Sequence, residues 1–299
     1  MFRLAHLSDI HLSPLPRPTW RQLTGKRLTG YMNWRLNRKG EMANAALPHL
    51  VRDWQSRAVD HTVISGDLVN LALPQEFANA KNWLQPLGAV DDISLVPGNH
   101  DAYVRGSLKQ FCRVFAPWMR GDMPENGDIF FPWLRRRGPV ALIGVSSAIV
   151  TPPFCAAGFF DKPQAFRLGR ILQRTGEEGL FRIVIIHHPP LFHATSWHKR
   201  LWGIRRFQAE IAAHGAELVL HGHTHLPTLS SLPGKDGGVP VAGVASATQS
   251  FGGHKPPAAY NLFEIGRKTD KTWHCALIRR GIVDNKNIVA GQERQILRQ

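Results

Sequence analysis

The sequence predicts an α/β fold, and three features of its hydrophobic pattern support this prediction. Short apolar runs recur along the chain, and each ends in a cluster of polar residues. Segments with helical spacing separate several of these runs. The last third of the chain has apolar runs with no helix between them. Alternating strands and helices are typical of α/β proteins, and successive strands without helices favour antiparallel pairing.

The expected strands are short, often β-branched and apolar on both faces, as buried strands are. They span 2–7, 62–64, 93–96, 181–186 and 218–220, and in the last third 239–245, 259–265 and 272–280. Helices are expected over 42–58 and 75–87, which carry helix formers with apolar spacing. Pro48 requires the first of these helices to start late or to kink.

The composition and cysteine usage favour a soluble, cytoplasmic protein. The 299 residues fit two domains of about 150 residues or one α/β domain. A hydrophobic content of 43% with 20% charged residues excludes a disordered chain. The cysteines Cys112, Cys155 and Cys275 are odd in number and far apart, which fits a reducing compartment.

Neither of the two most apolar candidate segments fits a membrane span or a secretory signal. The stretch 138–160 has no charged residue, but it contains Gly144 and three prolines, so a strand over 139–145 followed by a loop is expected. At the N-terminus, His6 and Asp9 interrupt the apolar core that a secretory signal needs.

The charge balance points to an anionic partner. Lysine and arginine exceed aspartate and glutamate by 15, which implies attraction to nucleic acid, an anionic membrane surface or a phosphate-bearing substrate. An RNP-type aromatic strand and a clear helix-turn-helix are absent from the sequence, so no specific nucleic-acid partner is predicted.

Polar clusters with metal-ligand chemistry follow five of the expected strands. Functional groups of open α/β sheets collect at the carboxyl ends of strands. The clusters contain Asp9 and His11, then Asp67, then Asn99 and His100, then His187, and finally His223 and His225. Carboxylate, amide and imidazole ligands without thiolate suit catalytic Mn²⁺, Fe²⁺/Fe³⁺ or Zn²⁺. These are too many ligands for one ion that keeps open coordination positions. Two ions that share one carboxylate would use all of them, and such paired ions are typical of enzymes that catalyse displacement at phosphorus.

These clusters match a known pattern in chain order. The five blocks are 9–11 (DIH), 66–70 (GDLVN), 98–101 (GNHD), 187–190 (HHPP) and 222–225 (GHTH). On these blocks the chain resembles the calcineurin-like metallophosphoesterase superfamily, and within it the bacterial branch with class III cyclic-nucleotide phosphodiesterases. The resemblance implies a four-layer α/β/β/α sandwich of two mixed sheets flanked by helices, with a dimetal site at the carboxyl ends of strands. We expect one domain over 1–284 and a polar, frayed tail over 285–299.

The resemblance also implies roles for individual residues. Asp9, His11 and His225 would hold one divalent ion, Asn99, His187 and His223 the second, and Asp67 both. His188 is the replacement ligand if His187 is not used, and a second-layer hydrogen bond is expected for His221. His100 would meet the substrate phosphate, with Asp101 orienting it and raising its pKa. Asn70 would orient a ligand or cap the next turn.

Two basic insertions are expected beside this site. The first, 12–40, carries Arg17, Arg21, Lys26, Arg27, Arg35, Arg38 and Lys39, interleaved with Trp20, Tyr31 and Trp34 and without an acidic residue. The second, about 191–206, contains two tryptophans and several basic residues. The first insertion is either a solvated cap on the domain or a surface that faces the ligand or a lipid, and both interpretations are open. Expected substrate contacts are Asn70, His193, His198 and Arg200.

The predicted activity is that of a dinuclear metal-dependent phosphodiesterase, which acts on a small phosphodiester such as a cyclic nucleotide through a hydroxide bridging the two ions. The alternative is a pyrophosphatase or phospholipase-type hydrolase of lipid-linked phosphoesters, peripheral to the anionic inner membrane surface. A nuclease or nucleic-acid-binding protein ranks third.

Overall fold

The secondary structure comes from a computed structural model that describes residues 1–38, 45–122, 131–270 and 272–298. The strands of this part are β1 (Phe2–Leu7), β2 (His61–Ile64), β3 (Ile93–Leu95), β4 (Trp133–Arg137), β5 (Val140–Gly144), β6 (Gly158–Phe159), β7 (Phe181–Ile185), β8 (Leu201–Trp202), β9 (Leu218–His221), β10 (Leu229–Gly234), β11 (Gly237–Gly243), β12 (Ala259–Arg267), β13 (Trp273–Ile282) and β14 (Val289–Arg298). The helices are α1 (Lys26–Asn33), α2 (Leu47–Gln55), α3 (Pro74–Leu84), α4 (Ser107–Val114), α5 (Ala116–Met119), α6 (Lys162–Glu177) and α7 (Ile204–His214).

Two six-stranded sheets organise the molecule. The first has the order β14–β13–β12–β1–β2–β3, and the second has the order β10–β11–β9–β7–β5–β4. In the first sheet β1, β2 and β3 are parallel, while β12, β13 and β14 pair antiparallel. In the second sheet β5, β7, β9 and β11 are parallel, and the edge strands β4 and β10 are antiparallel to their neighbours. The predicted mixed sheets and antiparallel C-terminal strands are confirmed.

The two sheets pack on each other and helices cover their outer faces. Successive side chains of a strand point to opposite faces. In β7, Ile183 and Ile185 belong to the core shared with the first sheet, whereas Val184 packs with α6 and α7 on the other face. On the far side, α2 contacts β12 and β14. This is the predicted α/β/β/α sandwich.

The expected helices occur with shifted ends. The helix α2 begins at Leu47 with Pro48 in its first turn, which confirms the late start; residues 42–44 lie outside the described residues. The helix α3 continues into a 3₁₀ turn at Gln85–Leu87. The uncharged stretch around 139–145 forms the buried strand β5. No helix among the described residues is both long and apolar enough to cross a membrane.

The C-terminal segment corrects the expectation of a frayed tail over 285–299. The strand β14 pairs antiparallel with β13 and forms the edge of the first sheet, so the expectation is wrong for 289–298. The physical reason is that β13 would otherwise leave its edge N–H and C=O groups without strand partners. Glu293 pairs with Arg279 at 2.9 Å, and Arg298 donates to the carbonyls of Ala216 and Glu217. The polar composition misled the prediction because most side chains of β14 are exposed or half-buried.

Candidate metal centre

The predicted site residues meet where the two sheets adjoin. They follow the carboxyl ends of β1, β2 and β3 in the first sheet and of β7 and β9 in the second. A hydrogen bond of 2.9 Å from the His223 backbone N–H to Asp9 Oδ2 connects the two sheets at this edge. The loop after β1 also bonds to the loop after β2, through Asp9 N to the Gly66 carbonyl and His11 N to the Asp67 carbonyl.

The backbone at the site is strained. Five predicted metal ligands have a left-handed backbone, with φ of 52° at Asp9, 43° at His11, 56° at Asp67, 67° at His223 and 57° at His225. Such conformations cost about 1–3 kcal/mol each for residues other than glycine and concentrate at functional sites. Here they turn each side chain off the end of its strand toward a common point.

Two glycines permit the close approach of these loops. At Gly66, φ is 106° and a Cβ would lie 2.6 Å from His187 Nδ1. At Gly222, a Cβ would overlap the Ser8 hydroxyl and lie 2.6 Å from Asp9 Oδ2. A residue larger than glycine at either position would displace a candidate ligand. This steric limit explains why the second and fifth sequence blocks contain glycine.

The first group of candidate ligands contains Asp9, His11, Asp67 and His225, all buried. His225 Nε2 lies 3.2 Å from Asp9 Oδ1, and His11 Nε2 lies 4.0 Å from Asp9 Oδ1 and 3.8 Å from Asp67 Oδ2. The His11 Nδ1–H donates to the Val69 carbonyl at 3.1 Å, so in the neutral ring Nε2 presents its lone pair inward. Asp9 Oδ1 is buried and accepts no hydrogen bond from the described residues. A buried carboxylate oxygen that faces imidazole nitrogens, with no backbone or hydroxyl donor among the described residues, fits a bound cation.

The second group contains Asp67, Asn99, His187 and His223. His187 Nε2 lies 3.3 Å from Asp67 Oδ2 and 3.2 Å from Asn99 Oδ1, and His223 Nδ1 lies 2.9 Å from the same amide oxygen. The outer nitrogens donate to the carbonyls of Ser65 and Lys199, at 2.7 and 2.8 Å. Backbone carbonyls in this position fix the tautomer and turn the other nitrogen toward a metal. Asp67 Oδ2 lies within 4 Å of histidines from both groups.

The charges of the site are set by neighbours against burial. Burial raises the pKa of Asp9 and of Asp67, but His225 outweighs it at Asp9, and His187 and His100 outweigh it at Asp67, so that both pKa values lie well below the usual range. Burial opposes a charge on His187, but Asp67 and Asp9 outweigh it and raise its pKa to about 9. The carboxylates therefore stay ionised, and a cation at His187 has to displace a proton.

The structure separates the two histidines of the fourth block. His188 Nδ1 is hydrogen-bonded to the Ser147 hydroxyl at 2.8 Å, and its Nε2–H donates to the Ala156 carbonyl at 3.0 Å. Burial and the nearby His187 lower the pKa of His188 to about 3. Both nitrogens are therefore engaged, which favours His187 as the ligand of the pair. His221 Nδ1–H donates to the Gly222 carbonyl at 3.0 Å, and its expected support of a metal ligand stays a prediction.

His100 lies beside the first group of ligands. Its ring centroid is 4.7 Å from that of His11, and its backbone N–H donates to Asp67 Oδ1 at 2.7 Å. The Nδ1–H donates to the Asn70 carbonyl at 2.6 Å, which directs Nε2 away from that carbonyl. Asn70 thus orients His100 through its backbone, while its side-chain amide donates to the Leu12 carbonyl.

Asp101 corrects the expectation that it orients His100. Its buried carboxylate accepts four backbone N–H groups, those of Asp67, Leu68, Val69 and Gly98, at 2.8–3.3 Å. The orienting role belongs to the Asn70 carbonyl instead. The expectation failed because neighbours in sequence need not face each other, and here the Asp101 side chain turns toward the loop after β2 and fixes the backbone that presents Asp67.

Sequence reasoning missed two side chains near His100. Tyr103 stacks on the His100 ring at 5.4 Å with 18° between the planes, and Lys26 Nζ lies 4.7 Å from the Tyr103 ring centre. Lys26 also donates to the Thr151 hydroxyl and the Cys155 carbonyl. The position of Tyr103, three residues after His100, was a usable signal; Lys26 gave none beyond its charge.

The second insertion reaches the site through its backbone. The Lys199 carbonyl that accepts from His223 lies between two of the predicted substrate contacts. His193 and His198 are exposed, and Arg200 is half-buried, with its carbonyl accepting from Gly158 N at 3.2 Å. Their contact with substrate stays a prediction.

The first insertion docks on the domain by one face of α1. Arg27 donates to the carbonyls of Leu71 and Ala72 at 3.0 and 2.5 Å, so its charge is committed to this contact. Tyr31 and Trp34 are stacked and pack against the core. Lys39 and residue 40 of the predicted insertion lie outside the described residues.

The sequence matches the family model for calcineurin-like phosphoesterases over residues 2–227. The chain therefore belongs to the calcineurin-like phosphoesterase family, and it is a metal-dependent phosphoester hydrolase. Members of the family use a dinuclear divalent metal site. Three triads of the described residues have ligand atoms close enough to hold an ion: Asp9, His11 and His225; His11, Asp67 and His100; and Asp9, Asp67 and His187. The bacterial class III branch stays a prediction.

Solved structures show the same fold at low sequence identity. A dimetal phosphatase from Danio rerio has a TM-score of 0.64 and 13% identity, covering 99% of this chain and 98% of that one. A purple acid phosphatase from yellow lupin (Lupinus luteus) has a TM-score of 0.57 and 12% identity, covering 93% of this chain and 51% of that one. The comparison with curated proteins gave no match.

The variant Asp101→Asn should be less stable than the wild type, because the Asp101 carboxylate accepts four backbone N–H groups. An amide in place of the carboxylate offers two fewer acceptor sites and brings its own N–H groups against backbone donors. The variant should lose about 1–3 kcal/mol or more of unfolding free energy in urea titrations. Metal affinity should fall as well. Unchanged stability together with a shifted pH–rate profile would restore the role of orienting His100.

Proposed function

We propose that this protein is a dinuclear metal-dependent phosphodiesterase that hydrolyses a small phosphodiester. The observation that carries the proposal is the position of Asp67 Oδ2, 3.8 Å from His11 Nε2 and 3.3 Å from His187 Nε2, between two sets of inward-facing acceptors. One carboxylate shared by two such sets is the arrangement that paired ions use for displacement at phosphorus.

The ligand assignment in the proposal follows the two groups. Asp9, His11 and His225 hold one ion, and Asn99, His187 and His223 hold the other. Asp67 serves both. When bound, the ions supply positive charge to the phosphate oxygens and acidify a water molecule that serves as nucleophile. The site residues fix where that charge sits, because carbonyls from Val69, Ser65 and Lys199 hold the three outward imidazole nitrogens.

His100 is proposed to handle the substrate. Its Nδ1–H stays on the Asn70 carbonyl, so a proton on Nε2 is available to a phosphate oxygen or the departing alkoxide. Once protonated, the alkoxide leaves as an alcohol and His100 remains as a neutral imidazole. The Tyr103 ring stacks on the His100 imidazole and limits its rotation.

A lipid-linked phosphoester is the second candidate substrate. It is favoured by large apolar side chains that remain exposed on the insertion beside His100, among them Trp20 and Leu36. We place the activity in the cytoplasm, since Cys112, Cys155 and Cys275 are free thiols. A nuclease is the third candidate function, and only the net charge of +15 favours it.

Metal binding tests the ligand assignment. After dialysis against excess Mn²⁺, the wild type should retain two ions per chain by elemental analysis, His225→Gln about one, and Asp67→Asn fewer than one. His274→Gln, on β13 away from the site, is the matched control and should keep two. Chelation should abolish hydrolysis of bis-p-nitrophenyl phosphate, and metal should restore it. Two tightly held ions in His225→Gln would contradict the assignment.

Removal of His100 should slow the chemical step without emptying the site. In His100→Asn, kcat for a dialkyl phosphodiester, whose alkoxide must be protonated to leave, should fall by about 10²–10⁴ with the metal content unchanged, whereas bis-p-nitrophenyl phosphate, which releases a stable phenolate, should lose much less. The exposed His254→Asn serves as control and should keep the wild-type rate. Comparison with p-nitrophenyl phosphate distinguishes diester from monoester preference. A wild-type kcat of His100→Asn for the dialkyl phosphodiester would remove His100 from the mechanism.

A further inference from the structure

The helix α1 carries a second apolar face that the domain does not cover. Its inner face holds Arg27 and Tyr31 against the protein, and so does Trp34 of the π-helical turn Trp34–Arg38 that continues the helix. On the outer side, Leu28 and Met32 of α1 and Leu36 of the π-helical turn recur at intervals of four residues and are 47%, 55% and 79% exposed. Residues four apart share one face of a helix, so these side chains form a stripe.

Aromatic and basic side chains are close to this stripe in the sequence. Trp20 is 77% exposed, with the Arg21 guanidinium 5.0 Å from its ring centre. Arg17, Arg21 and Arg35 are exposed, and none of the three forms an ion pair with a carboxylate in the described part of the chain. The segment from 12 to 38 contains no acidic residue at all. We call Trp20, Leu28, Met32, Leu36 and these three arginines the α1 surface.

Neighbouring loops extend the exposed apolar character. Lys26, on α1, is bonded to the Thr151 hydroxyl and the Cys155 carbonyl, which places the exposed Phe154 beside the start of the helix. The Ala156 N–H bonds to the His198 carbonyl, next to the exposed Trp197. The exposed rings therefore lie on loops that contact α1 directly or through one intermediate loop.

We propose that the α1 surface docks this protein on an anionic lipid bilayer. Apolar side chains in line on a helix, bordered by arginine and tryptophan, are typical of helices that lie in the membrane interface. The occupant follows from charge complementarity: arginines that form no ion pair within the described residues attract anionic headgroups, whereas an apolar stripe has no counterpart on the phosphate backbone of a nucleic acid. A second copy of the same surface would bring its arginines against like charges.

Docking in this way would bring the metal centre to the bilayer surface. The α1 helix contacts Tyr103 through Lys26, and Tyr103 stacks on His100. Gly30 packs so closely on the Tyr103 ring and Leu71 that a side chain there would clash. The proposal concerns binding and does not depend on the reaction that the site performs.

Vesicle co-sedimentation of the full chain tests the proposal without substrate. Wild-type protein should bind vesicles of phosphatidylcholine mixed with phosphatidylglycerol, bind phosphatidylcholine alone far less, and dissociate as salt is raised. The affinity of the triple variant Leu28→Ser/Met32→Ser/Leu36→Ser for these vesicles should be lower than that of the wild type by a factor of about ten or more. Arg17→Gln/Arg21→Gln/Arg35→Gln should lose the preference for the anionic lipid, and it gives an independent answer if the serine variant does not fold.

The matched control replaces exposed apolar side chains elsewhere. Phe166→Ser/Ile288→Ser/Ile296→Ser changes residues on α6, before β14 and within β14, and should bind vesicles like the wild type. Thermal unfolding checks that all variants are folded. The proposal is overturned if the wild type ignores anionic vesicles at low salt, or if the serine and control variants bind equally. It is also overturned if light scattering shows a dimer that the serine substitutions dissociate, because a second copy would then cover the surface.

Discussion

The convergence of hydrogen-bond acceptors on Asp67 is the constraint on which the rest of the site depends. Its Oδ2 atom lies between imidazole nitrogens of His11 and His187, and both rings are held by carbonyls on their outer side. Lone pairs in a buried space repel unless a cation or a proton lies between them. The loops, the glycines and helix α1 around the metal centre hold this unfavourable arrangement in place.

The fold stabilises this arrangement from several sides. The left-handed backbone at five candidate ligands is costly, and it persists only where its surroundings determine it. Asp101 provides part of that support by binding four backbone N–H groups around Asp67. The bond from His223 N to Asp9 Oδ2 joins the two sheets at the same place. Stability and metal affinity are therefore coupled at this edge of the sandwich.

The sequence predicted the strands that lead into the site, and the meeting of the site residues, because both leave local signals: apolar runs, and polar clusters where the runs end. It did not predict contacts made by backbone atoms, such as the carbonyls of Asn70 and Lys199, since every residue has the same carbonyl. Asp101 was misassigned because its partner is distant in sequence. The helix α6 was not identified, although Asp161 caps it by accepting from Gln164 N. The strand β14 was missed because an edge strand with one solvated face has a polar composition.

Anomalous diffraction from crystals grown with Mn²⁺ tests the central claim most directly. The account predicts two anomalous peaks about 3.5–4 Å apart. The Asp67 carboxylate should contact both, with Asp9, His11 and His225 around one and Asn99, His187 and His223 around the other. A single peak, or two peaks of which Asp67 touches only one, would contradict the account.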